Sequence, residues 1–111
     1  MAANYDITIE QGATFTFSVT VTALNLTGYS ARMQGRTTHA SSDKVINLTT
    51  GSGISIAPAT DSVITITISA TATAAISAPS YGVYDLEIES GSGVVTRLLQ
   101  GTYQVTPEVT R

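Results

Sequence analysis

Asp85, Glu87 and Glu89 are the residues of this 111-residue chain whose types and spacing come nearest to chemistry. Placed two apart on a strand, their carboxylates share one face at successive separations of about 7 Å. Such a row could hold a calcium ion, or act in pairs as acid and base. Oxygen-rich cation sites, however, gather Asp and Asn in a turn, whereas these three alternate with Leu86 and Ile88. The wet face of an amphipathic strand is therefore the favoured reading. His39, the only histidine, stands in the polar loop 37–43. No Cys, nucleophile motif or Glu-rich helix accompanies it, so neither a triad nor a zinc site can be assembled around it. Arg32 and Arg36 flank Met33 and Gln34, and suit either half of a polar interface or ordinary solvent-facing positions.

The glycine stretches Gly51-Ser52-Gly53 and Gly91-Ser92-Gly93 are not phosphate loops, because no Lys-Ser/Thr follows and neither opens a helix. They read as hairpin turns. Asn25-Leu26-Thr27 and Asn47-Leu48-Thr49 match the glycosylation tripeptide, which carries no weight without a secretion signal. No residue is assigned as catalytic, cofactor-binding or metal-ligating, no cofactor is expected, and an enzyme is the least favoured class.

The elements that would position these residues are strands. Ile7 and Ile9, then Phe15, Phe17, Val19 and Val21, then Ile64, Ile66 and Ile68, then Tyr84, Leu86 and Ile88 each alternate with polar residues. A period of two is that of a strand with one buried and one wet face. Strands are expected at about 5–10, 13–22, 29–36, 44–50, 54–56, 62–69, 81–90 and 94–105. A short helical turn is expected near 69–78, where Ser69 is a plausible N-cap in front of an alanine-rich run and Pro79 closes the segment. Seven to eight strands with frequent turns read as an all-β, immunoglobulin-like antiparallel β-sandwich. Gly82-Val83-Tyr84-Asp85-Leu86 resembles the tyrosine corner of immunoglobulin domains, which implies a buried Tyr84 hydroxyl bonded to backbone within 74–82. One domain over 1–106 and a short tail over 107–111 are expected.

Composition narrows the class. The chain has 19 Thr and 12 Ser, while charged residues make up only 12 %, about half the usual share. A hydroxyl-rich, charge-poor surface suits a subunit packed in an assembly better than a free monomer. The net charge of −3 with five scattered basic residues argues against nucleic-acid binding. No cysteine is present, so no disulfide or thiolate site can form. Neither a secretion signal nor a membrane span is read in the chain, and synthesis in a cytoplasm is expected.

Two segments resemble a known family. Asp6-Ile7-Thr8-Ile9-Glu10-Gln11-Gly12-Ala13-Thr14-Phe15 is followed, after a strand, by Leu26-Thr27-Gly28-Tyr29-Ser30-Ala31-Arg32-Met33. They are similar to short tailed-bacteriophage virion proteins and to the N-terminal module of phage baseplate upper proteins. The ending from Val94 to Val109 continues the likeness. The resemblance implies a structural virion protein, a baseplate or tail adaptor that attaches a fibre or receptor-binding protein. The implied partners are other virion proteins, with a homo-oligomer in the particle, a trimer if it follows the fibre-linked relatives. The alternatives are a capsid decoration protein and a small carbohydrate-binding module; the latter is weakened by the absence of Trp for sugar stacking.

Overall fold

The alternating runs become strands whose apolar halves all turn to one core. The computed structural model describes residues 2–110. Met1, which opens the expected domain, and Arg111, which ends the expected tail, lie outside the described residues. The elements are β1 (Ala3–Asn4), β2 (Ile7–Glu10), β3 (Phe15–Val21), β4 (Ser30–Arg36), β5 (Ile46–Thr50), β6 (Gly53–Ala57), β7 (Ser62–Ile68), α1 (Ala70–Ala74), β8 (Ser80–Glu89) and β9 (Val95–Thr106). They form one sheet in the order β1-β9-β8-β4-β5-β6-β7-β3, with β2 also paired to β9. The sheet curls on itself. Ile9, Met33, Ile64, Ile66, Leu86, Ile88, Tyr103 and Val105 meet inside it and are almost wholly removed from water.

The all-β class and the single short helix agree with expectation, but the sheet is mixed rather than antiparallel. Among the described residues it has nine strands, not seven or eight. The expected first strand, 5–10, forms only from Ile7 as β2; a short strand that was not expected, β1, precedes it, the two are split at Tyr5 and Asp6, and both run parallel to β9. The split has a local cause. The Asp6 carboxylate accepts the Thr102 amide at 3.0 Å, replacing a main-chain partner. Gly101 leaves room for the Tyr5 carbonyl, against which a β-carbon there would collide.

The second departure is at Gly51-Ser52-Gly53. It is not a hairpin, since β5 and β6 pair in parallel over only two positions. Gly51 and Gly53 take φ of 85° and 95°, conformations that cost a residue with a side chain about 1–2 kcal/mol. They turn the chain so that β6 leaves β5 and pairs antiparallel with β7.

The closing hairpin follows the apolar pattern. Gly93 adopts φ 92°, and the Ser90 amide donates to the Val94 carbonyl at 2.9 Å, which leaves a three-residue loop. Arg97 lies opposite Glu87 and Thr96 opposite Ile88, as the alternation requires. An unbroken ladder from the three-residue loop would set Leu98 opposite Leu86; Leu86 instead faces Leu99, because a bulge between the pairs of Leu86 and Glu87 adds one residue to β9. Without it, the register would turn Leu99, Tyr103 and Val105 away from the core.

Helix α1 starts where Ser69 accepts the Ala72 amide at 3.2 Å and stops at Ala74, well before Pro79. Its one buried residue, Thr73, donates to the Ala13 carbonyl at 2.8 Å and accepts the Gly12 amide at 3.0 Å. The helix thus pins the β2–β3 turn.

Candidate functional site

The antiparallel register of β4, β8 and β9 decides which polar side chains meet on the outer face of the sheet. Arg32 lies opposite Glu87, Gln34 opposite Asp85, and Gln100 on the other side of Asp85. Glu87 is the centre of the array. Arg32 Nε reaches its carboxylate at 3.1 Å, and Arg97 Nε approaches it at 4.0 Å from the opposite strand. Arg32 also reaches Glu89 at 3.6 Å, and Arg97 reaches Asp85 at 3.5 Å. The row Asp85, Glu87, Glu89 is therefore on one wet face, as expected, and two guanidiniums cross-link it. Among the described residues no three His, Cys, Asp or Glu side chains converge as a metal site.

Beside this ladder lies a depression of about 390 Å³, walled by Gln34, Arg36, His39, Asp85, Gln100 and Asn4 among others. Arg36 is held by the Ser41 carbonyl at 2.7 Å and by Gln34 Oε1 at 3.0 Å. Gln100 joins Asn4 at 3.3 Å and Arg97 at 3.2 Å. Burial, and next the neighbouring Glu87 carboxylate, push the Asp85 carboxyl above its ordinary range, against the pull of Arg97, Arg32 and Arg36. Exposed His39 stands at the rim.

Arg32 and Arg36 thus have different roles: Arg32 belongs to the ion ladder and Arg36 braces the 37–43 loop. Asn25 closes a local turn by accepting the Thr27 amide at 2.9 Å, and Asn47 is an exposed residue of β5. The exposed aromatics do not form a stacking platform. Tyr5 packs against Phe17 with ring centres 5.7 Å apart, while Tyr81 has no aromatic neighbour among the described residues.

The opposite layer has another character. Strands β3, β6 and β7 carry no charged residue. Their outer face is a surface of hydroxyls, with Thr16 joined to Thr67 at 3.3 Å and Ser18 to Thr65 at 3.2 Å.

Sequence reasoning missed Gln11, which it placed only within the segment 6–15. Its side-chain amide donates to the Ile76 carbonyl at 2.8 Å, and its side-chain oxygen accepts the Glu108 amide at 3.0 Å. Gln11 thereby ties the first strands, the segment after α1 and the C-terminal tail together. The available signal was an amide side chain beside Gly12, whose φ is 86°.

Comparison with protein-family models and with curated proteins finds no match to this chain.

Proposed function

We propose that this chain is a structural virion protein of a tailed bacteriophage, a baseplate or tail adaptor that holds a fibre or receptor-binding protein. The observation that carries the reading is the division of the surface into two unlike faces. One is the charged Arg32–Glu87–Arg97 ladder with its polar depression; the other is the uncharged hydroxyl layer of β3, β6 and β7. An adaptor needs two surfaces that cannot exchange partners, and charge against no charge provides that discrimination. The likeness of the segments 6–15 and 26–33 to short phage virion proteins points the same way.

The finer fold reading that accompanies this proposal is an immunoglobulin-like sandwich. It is supported by β3 pairing with β7, by the β4-β8-β9 succession, and by the parallel addition of β2 to β9. A buried Tyr84 in Gly82-Val83-Tyr84-Asp85-Leu86 adds to it.

The test is mass spectrometry of purified particles joined to immunogold labelling. A fixed copy number with label at the tail is expected. Label confined to the head would favour a decoration protein, and recovery of the chain only from lysate would overturn the virion reading.

A further inference from the structure

Strand β3 ends the sheet, and its outer edge has no strand partner among the described residues. It is seven residues long, and its pairing with β7 runs without a bulge from Phe15 to Val21. Soluble proteins guard such edges with charges, proline, bulges or short strands. Phe15-Thr16-Phe17-Ser18-Val19-Thr20-Val21 has none of these. Phe15, Phe17, Val19 and Val21 line the core side but remain only half-buried, because nothing continues the sheet beyond them. Tyr5 and Phe15 pack on Phe17, with ring centres 5.7 and 5.6 Å away, and cover only part of the seam.

We propose that β3 pairs with β3 of a second copy of this chain, antiparallel, about a two-fold axis at Ser18. The strand is symmetric in chemistry about that residue. In this register Phe15 meets Val21 and Phe17 meets Val19 on the core side. Thr16 meets Thr20, and Ser18 meets its own counterpart on the wet side. Every apolar residue finds an apolar partner and every hydroxyl a hydroxyl, which are favourable cross-strand pairs. Self-association also demands that like charges stay apart, and the chain carries a net charge of −3. The β3-β7-β6 layer carries no charged residue, so two copies meet there without repulsion. The interface is isologous and closes at two. A strand pair of this length sits near the lower limit of specific interfaces, on the order of 1,000 Å², so monomer and dimer exchange in solution.

The experiment measures the mass in solution of the full chain and its variants. Wild type should reach twice the chain mass as concentration rises. Ser18 is exposed, so Ser18→Lys leaves the core intact and puts two ammonium groups opposite each other. It should weaken association by roughly tenfold or more. Ser18→Glu should do the same, and an equimolar mixture of the two variants should restore the dimer. Asn47→Lys, exposed on β5 and three strands in from the edge, should stay dimeric. Hydrogen exchange on wild type gives a check that needs no variant: β3 amides should exchange more slowly at high concentration. A wild-type monomer or trimer, a dimer indifferent to Ser18→Lys, a mixture that stays monomeric, dissociation by Asn47→Lys, or β3 exchange independent of concentration would each overturn the proposal.

Discussion

The Tyr84 hydroxyl donates to the main-chain carbonyl of Tyr5, joining β8 to the chain's first strands across 79 positions. The corner expected from the sequence placed this bond upstream, within 74–82, and the structure corrects it. Tyr84 is buried as expected, but its ring points to the place where β1 and β2 separate on β9. The Tyr5 carbonyl is open there because the Asp6 side chain, not the local main chain, takes the Thr102 amide.

Tyr84→Phe is expected to destabilise the fold by about 1 kcal/mol, since it deletes a hydroxyl donor and leaves a carbonyl without its partner. Tyr5→Phe should cost less, because the acceptor is the Tyr5 backbone and its side chain is half exposed. Urea denaturation of both variants measures the difference.

Burial, assisted by Tyr5 and Asp6, pushes the Tyr84 hydroxyl from 10.0 up to about 12. The folded chain therefore keeps this proton after the unfolded chain has released it. Stability from this group is complete below pH 10 and is lost as pH rises toward 12. Denaturation midpoints of wild type should fall across that window, and Tyr84→Phe should flatten the fall.

Tyr103 offers the opposite case. It is 1 % exposed, and its hydroxyl is buried without a hydrogen-bond partner among the described residues. Removing an unpaired buried hydroxyl relieves a desolvation penalty of about 1–3 kcal/mol. Tyr103→Phe should thus be neutral or stabilising by thermal denaturation, while Tyr103→Ala should cost about 3–5 kcal/mol through the cavity it leaves.

On the outer face, Arg32→Ala and Arg97→Ala should each cost only about 0.2–1 kcal/mol, because both guanidiniums are half exposed. Asp85 behaves differently. Its raised folded-state pKa means that ionisation penalises the native state; the penalty is complete above that pKa and vanishes below the unfolded value of 3.8. Asp85→Asn should accordingly raise the midpoint at pH 7 and lose that advantage near pH 3.

Gly82 is packed where a β-carbon would strike the Arg36 carbonyl and the Tyr103 ring. Gly82→Ala should cost at least about 1–3 kcal/mol, because one of the colliding groups is main chain. Gly91→Ala should be close to neutral, since the nearest atom would stand at an ordinary 3.8 Å. Paired melting curves compare the two.

The strands were legible along the chain because their period is a local property. Ile64, Ile66 and Ile68 alternate whatever they pack against, and Ser69 with an alanine run announces a helix within a few residues. The register of the final hairpin was largely legible too, because placing Arg97 on the core face would bury an unpaired charge. Three features depended on distant atoms and could not be read. The parallel docking of β1 and β2 on β9 rests on Asp6 reaching Thr102 and on Gly101 making room. The bulge at Leu98 is needed only because Leu99, Tyr103 and Val105 must share the core with strands far away in sequence. The Arg32 half of the ladder exists because β4 flanks β8, a pairing that alternation permits but does not select, whereas the Glu87–Arg97 half follows from the hairpin register. Periodicity assigns a side chain to a face; which neighbours share that face is decided when the whole sheet closes around one core.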